Sequence, residues 1–175
     1  MRTAERLLKI LSGLERLGAF LAFLVLIGVV FLDVASREVT GTGLHWAMQV
    51  GVYANLVVVL LGIGITSAAG AHLRPRFADG WLPRAWDGVL GRLQEGVTGL
   101  FFAAFAIVGA LVVAETRELG ERAPVLGNLV WPLQALIPAV SAAGAVRHLI
   151  YSAWPALRPR QPAASPANPE ASGPS

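Results

Sequence analysis

Long apolar runs, separated by short polar segments, dominate the pattern of hydrophobic and polar positions along the chain. Four runs cover residues 17–32, 46–71, 96–114 and 123–146 and contain no charged side chains. A helix needs roughly 20 mainly apolar residues to cross about 30 Å of hydrocarbon. The last three runs meet this length directly. The first meets it if Asp33 lies near the interface and the next three residues complete the helix. The pattern therefore predicts an all-α integral membrane protein with four transmembrane helices, at about residues 17–37, 46–70, 92–119 and 125–153.

The segments outside this membrane domain (residues 17–154) have their own patterns. Residues 1–16 place leucines and an isoleucine at helical spacing on one face, which predicts an N-terminal amphipathic helix. This helix either lies in the interface or extends the first span into the cytoplasm. Residues 155–175 are rich in Pro, Ala and Ser, a composition that cannot form a core. We expect this tail to be disordered.

Composition narrows the classes of function. The chain is 55% hydrophobic, 14% charged and lacks cysteine, which excludes disulfide exchange, thiolate nucleophiles, iron–sulfur clusters and cysteine zinc sites. The basic residues flank the apolar runs instead of forming one face. We therefore expect the chain to lie in a lipid bilayer, and we expect no nucleic acid partner.

The distribution of lysine and arginine predicts the orientation, because these residues are retained on the cytoplasmic side of span ends. Four lie in the N-terminal segment, four between the second and third spans, and three at the C-terminal end; the opposite links hold only Arg37, Arg117 and Arg122. Both termini are therefore expected in the cytoplasm, with short interfacial loops. A cleaved signal peptide ending at "VAS" before Arg37 is the alternative. Its charged region would be unusually long, and its removal would leave three spans.

Polar side chains inside the predicted spans are few. Asn55 lies within the second span, with Gln49 nearer its outer end, and the fourth span holds Asn128, Gln134 and two prolines. No aspartate, glutamate, lysine or arginine lies near the centre of a span, although a proton-coupled carrier ordinarily has one. We therefore do not expect the chain to translocate a substrate by itself.

Residues at the span ends allow two interpretations each. His45, His72 and His148 are expected on solvated helix ends; haem ligation would require histidines that face each other within the bundle, and only the last two could approach. Asp33 and Arg37, at spacing i, i+4, form either an interfacial ion pair or a contact with a partner protein.

The order of these features resembles a known family, the DctQ-like small membrane subunits of tripartite ATP-independent periplasmic (TRAP) transporters. The likeness covers roughly residues 17–151. It rests on "FLDVASREVTG" closing the first span, "LHWAMQVGVYANLVVVLLG" opening on a tryptophan, "GAHLRPRFADGWLP" after it, and "APVLGNLVWPLQALIPAVSAAGAVRHL" as the last span. No single motif is diagnostic, and the ordered set carries the resemblance.

The resemblance implies a function in transport and no enzymatic activity, cofactor or metal site. In such systems a soluble periplasmic binding protein captures an organic acid, and a large multi-span membrane subunit carries substrate and sodium. The small subunit anchors and scaffolds the large one in the bacterial cytoplasmic (inner) membrane and helps to dock the binding protein.

The same resemblance implies two sets of contact residues. The candidates for periplasmic docking are Arg37, Glu38, Glu118, Glu121 and Arg122. The candidates for contacts with the large subunit or between helices are Asp33, Trp46, Gln49, Asn55, His72, Trp131, Pro138 and Arg147. Small residues such as Gly62, Gly64, Ala106 and Ala110 are expected to pack on the large subunit.

Three other functions stay open from sequence alone. The chain could be the small subunit of a different tripartite carrier, an independent small transporter, or a membrane haem or redox protein. Uptake by the chain alone would indicate the second, and visible absorbance that depends on His72 or His148 would indicate the third.

Overall fold

The computed structural model describes residues 2–69 and 87–159, and within these ranges the chain is almost entirely helical. The helices are α1 (Arg2–Thr40), α2 (Ala47–Ala68), α3 (Asp87–Leu119), α4 (Trp131–Gln134) and α5 (Leu136–Ala153), followed by a 3₁₀ helix at Pro155–Leu157. Within the described residues, four segments are long and apolar enough to cross a membrane: α1, α2, most of α3, and α4 with α5. The prediction of an all-α protein with four membrane-spanning helices is confirmed.

Two helices are longer than a bilayer requires. The N-terminal segment and the first span form one continuous helix, α1, whose 39 residues extend about 58 Å at 1.5 Å per residue. The helix ends where Gly41 adopts a positive φ of 74° and donates its amide hydrogen to the Arg37 carbonyl oxygen at 3.0 Å. Gly120, with a positive φ of 64°, ends α3; its amide donates to the Arg117 carbonyl oxygen at 3.2 Å, and the Glu121 amide donates to the Thr116 carbonyl oxygen at 3.3 Å. Of the two alternatives for the N-terminal segment, the structure therefore has the extension of the first span.

The fourth span begins later than predicted. Residues 120–130 form a compact turn in which the Ala123 amide donates to the Asn128 carbonyl oxygen at 2.8 Å, and Gly127 has a positive φ of 65°. Residues 123–130 are mainly apolar, but they form a turn that depends on the positive φ of Gly127. The helix α4 therefore begins only at Trp131. Residues 160–175, most of the predicted disordered tail, lie outside the described residues.

The helices form an open layer and not a closed bundle. α1 packs on α2, α2 on α5, and α5 on α3, so the order across the layer is α1–α2–α5–α3. Within the described residues, α1 and α3 do not pack substantially against each other. We call the end that holds the start of α1 and the end of α5 the terminal end, and the opposite end, which holds residues 41–46 and 120–130, the far end.

The layer leaves most of its apolar surface uncovered. Large side chains along both outer helices are more than half exposed, including Phe31 at 70% on α1 and Leu111 at 66% on α3. Small residues allow the helices to approach closely instead: Gly144 of α5 faces the Phe102 ring of α3. Such a surface requires lipid or another membrane protein against it.

Close packing of α3 on α5 generates a first prediction. A Cβ added at Gly99 would lie 3.0 Å from the Leu149 side chain and 3.2 Å from its backbone nitrogen. Because backbone atoms cannot move aside, Gly99→Ala should destabilise the protein by about 1–3 kcal/mol. Gly28→Ala is the matched control, since a Cβ there meets nothing within 4 Å. Thermal unfolding in mild detergent measures both variants; equal midpoints would contradict the packing described here.

Candidate functional site

Arg147 is the centre of a buried polar cluster near the terminal end of the layer. Its side chain is 0% exposed and lies on α5. One guanidinium nitrogen, Nη2, donates to Oε2 of Glu15 on α1 at 2.5 Å, and Nη1 donates to the carbonyl oxygen of Gly64 on α2 at 2.6 Å. A single side chain therefore joins three helices.

Gly64 allows this approach because it has no side chain. A Cβ added at Gly64 would lie 2.5 Å from Cδ of Glu15, well inside van der Waals contact. Gly62, on the same helix, has nothing within 4 Å of an added Cβ. The expectation that Gly64 packs on the large subunit is wrong, because it is buried against Glu15 of its own chain.

His148, the next residue along α5, joins the remaining long helix. Its ring is 2% exposed, with Nδ1 2.7 Å from Oε2 of Glu95 on α3 and Nε2 2.8 Å from the hydroxyl of Ser67 on α2. Since a carboxylate accepts hydrogen bonds, Nδ1 donates to Glu95, and Nε2 shares a hydrogen bond with the Ser67 hydroxyl. The ring also stacks on Phe102, with centroids 5.6 Å apart.

We call this group the four-helix polar cluster; its members are Glu15, Gly64, Ser67, Glu95, Arg147 and His148. The segment after α5 closes over it. Arg158 donates from Nε to the Tyr151 carbonyl oxygen at 3.2 Å and lies 3.9 Å from Oε1 of Glu95. The Ser152 hydroxyl donates to the Arg92 carbonyl oxygen at 3.0 Å, which adds a link between α5 and α3.

The polar contacts of the cluster hold the four helices together. Two charges taken out of water are costly, and removing one partner of such a pair typically costs about 3–5 kcal/mol. Oε1 of Glu15 and Nε of Arg147 are buried without a hydrogen-bond partner within the described residues. The ion pair therefore does not use all the hydrogen-bonding groups of its two side chains. Both ring nitrogens of His148 are occupied by protein partners, which disfavours a role as a haem ligand. The described residues contain no group of acidic and histidine side chains that could hold a metal ion.

The far end is held by separate contacts. Arg37 forms the ion pair with Asp33 that the i, i+4 spacing allows, at 2.8 Å. The other carboxylate oxygen of Asp33 accepts the Leu44 amide at 2.7 Å, which fixes the turn between α1 and α2. A side chain at position 43 would require the Arg37 and Asp33 side chains to move, since an added Cβ would lie 2.7 Å from Nε of Arg37 and 2.8 Å from Oδ1 of Asp33.

Three further candidates make contacts within the chain. Oε1 of Gln49 on α2 accepts the backbone amides of Val125 and Leu126 at 3.2 and 3.1 Å, which joins α2 to the turn before α4. The Trp131 ring lies under the Arg117 guanidinium, 5.3 Å from ring centroid to Cζ. Pro138 packs against Gly109 of α3.

The remaining candidates have less contact with the rest of the chain. All five docking candidates are exposed, and they lie at the far end, at Arg37, Glu38, Glu118, Glu121 and Arg122. Trp46 is half-buried at the start of α2, whereas Asn55 is exposed and makes no side-chain hydrogen bond within the described residues. His72 lies outside the described residues.

Sequence reasoning missed most of the cluster. The prediction that His148 occupies a solvated helix end is wrong, because helices α2 and α3 cover it. Glu15, Ser67 and Glu95 were not recognised as site residues, since each lies near the margin of an apolar run. For Glu95 the sequence suggested an ion pair with Arg92, whereas the structure has contacts with His148 and Arg158. The available signal was the pair of polar residues, Arg147 and His148, inside the continuous helix α5.

These observations define the class: a small integral membrane protein whose four spanning helices form an open layer, clamped by buried polar contacts. A comparison with family models matched residues 26–158 to "Tripartite ATP-independent periplasmic transporters, DctQ component". The chain belongs to this family, which consists of the small membrane subunits of TRAP transporters and is a family of transporter components. Comparison with curated proteins and comparison with solved structures gave no match.

The contrast between Gly64 and Gly62 generates a second prediction. Gly64→Ala should push the Glu15 carboxylate away from Arg147 and destabilise the protein by up to about 3–5 kcal/mol, the cost of breaking a buried pair. Gly62→Ala should be neutral or stabilise the helix by up to about 1 kcal/mol. Thermal unfolding in detergent compares the two. A Gly64→Ala variant as stable as Gly62→Ala would show that the pair does not hold the helices together.

Proposed function

We propose that this chain is a fixed scaffold for the large transport subunit of a TRAP transporter in the bacterial inner membrane. In this proposal the large subunit carries an organic acid with sodium, and the small subunit anchors it without forming the transport path. The far end faces the periplasm, as the arginine distribution predicts. The exposed charges there help to dock the periplasmic binding protein.

The exposed and unpaired side chain of Asn55 is the observation that supports the scaffold proposal most directly. It lies near the middle of α2 on an exposed stripe with Met48, Val52, Val59 and Ile63. Its amide has no partner within the described residues. Lipid tails cannot form hydrogen bonds, so an amide at this depth is favourable only where another protein supplies a donor or acceptor.

A groove beside Asn55 supports the same contact face. A cavity of about 390 Å³ lies between α1 and α2, and its walls include Val30 of α1 and Val52 and Asn55 of α2. Asp33 and Arg37 also line it, toward the far end. Side chains from a neighbouring transmembrane helix can fill such a groove while meeting the Asn55 amide. We therefore place the large subunit against the α1–α2 face.

The polar cluster supports a scaffolding role and not a transport role. Arg147 and His148 are enclosed by helices of their own chain, and both terminal nitrogens of Arg147 and both ring nitrogens of His148 contact fixed protein groups. A side chain that carries ions must alternate between bound and free states. These residues are instead placed to keep the layer rigid.

Co-purification from native membranes tests the proposal itself. The tagged chain should be recovered in stable association with a much larger multi-span membrane protein, identified by mass spectrometry as a TRAP large subunit. Recovery of the chain only as a monomer or a self-oligomer would contradict the scaffold function.

The contact face generates a third prediction. Asn55→Leu should weaken association with the large subunit about three-fold, and at most about 20-fold, because one interhelical hydrogen bond in a membrane contributes about 0.6 to 1.7 kcal/mol. Val108→Leu, on the exposed surface of α3 and outside the α1–α2 face, should leave association unchanged. Titration of the two purified subunits measures both affinities.

The absence of cysteine provides an independent check of the face. A single cysteine at Val52, labelled with a photoactivatable group, should cross-link to the large subunit. A strong wild-type complex with no loss in Asn55→Leu and no cross-link from Val52 would place the large subunit on another face while leaving the scaffold function intact.

A further inference from the structure

A second cavity lies at the terminal end, next to the four-helix polar cluster but separate from it. Its volume is about 420 Å³, and it is bounded by the first turns of α1, the end of α2, the end of α5 and the segment that follows. Its polar lining residues are Glu5, Lys9, Ser12, Arg16 and Tyr151. Neither the scaffold proposal nor the polar cluster uses these polar residues.

Two cations face this cavity from one side of α1. Lys9 and Arg16 are seven residues apart, which places them two turns, or about 10 Å, apart along the helix. Both side chains are long enough to converge on a group held between them, and the Ser12 hydroxyl lies on the same face. Within residues 2–69 and 87–159, neither Lys9 nor Arg16 forms an ion pair or a side-chain hydrogen bond.

The other walls complete an amphipathic site. Tyr151 of α5 also lines the cavity, and Leu8, Ala68 and Leu157 contribute apolar surface. Glu5 also lines the cavity, so the formal charge of the lining is two positive against one negative. Two unpaired cations and the Ser12 hydroxyl, at the end of membrane-spanning helices, match a phosphate group, whose oxygens accept several hydrogen bonds at once.

We propose that this cavity is a binding site for a phosphate group, held by Lys9 and Arg16 and supported by Ser12. The phosphate is carried by the headgroup of an anionic phospholipid in the adjoining leaflet or is free in solution. The bound phosphate lies between α1 and the ends of α2 and α5, beside the buried Glu15–Arg147 pair.

Charge-matched variants test the site. The full-length chain, purified in mild detergent, is titrated with phosphatidylglycerol, and the lipid-bound fraction is measured by native mass spectrometry. Lys9→Gln and Arg16→Gln should each weaken binding about five-fold, as expected for one basic residue near an anionic headgroup. Arg6→Gln removes the same charge from the same helix, but Arg6 does not line the cavity. It should leave binding close to the wild-type value.

Two further measurements test the effect of the negative charge in the lining and identify the source of the phosphate group. Glu5→Gln should strengthen binding, because it removes the negative charge from the lining. Inorganic phosphate that competes with the lipid and stabilises the wild-type chain, but not Arg16→Gln, would identify free phosphate as a ligand. Lipid binding unaffected by phosphate would identify the headgroup. An equal loss in Arg6→Gln, or no binding of either probe, would overturn the proposal.

Discussion

The buried ion pair between Glu15 and Arg147 is the interaction on which the rest of the structure depends. An open layer of four helices has little apolar burial to stabilise it, because lipid solvates its outer faces as well as another helix would. A desolvated charge pair is different: separating its members while they stay buried leaves two uncompensated charges. Arg147 holds α1 and α2, and its neighbour His148 holds α2 and α3, so two consecutive residues of α5 fix the order of all four helices.

In the proposed function, this arrangement lets a small chain support a large one. The polar contacts lie within the layer, near its terminal end, and leave the broad faces of α1 and α3 free. A rigid layer with uncovered apolar surface and an unpaired amide at Asn55 is suited to a protein partner in the membrane. Membership in the DctQ family of TRAP transporter components agrees with this architecture.

The number and type of the helices could be predicted from sequence, whereas most of the polar cluster could not. The four apolar runs are each long enough to span a bilayer, so chain length and hydropathy determine the fold class. Glu15, Ser67 and Glu95 lie where those runs end, and single-sequence patterns do not distinguish a solvated helix end from one covered by another helix. The late start of the fourth span depends on the positive φ of Gly127, which apolar composition does not reveal. The pairing of Asp33 with Arg37 was foreseeable because it is local, whereas Glu15 and Arg147 are 132 residues apart.

A double-mutant cycle on Glu15 and Arg147 tests the central claim most directly. The free energy of unfolding in mixed detergent micelles is measured for Glu15→Leu, Arg147→Leu, the double variant and the wild type. If the pair clamps the layer, each single variant loses about 3–5 kcal/mol, and the double variant loses clearly less than the sum of the two. Losses that simply add would contradict the account, because the two side chains would then act independently.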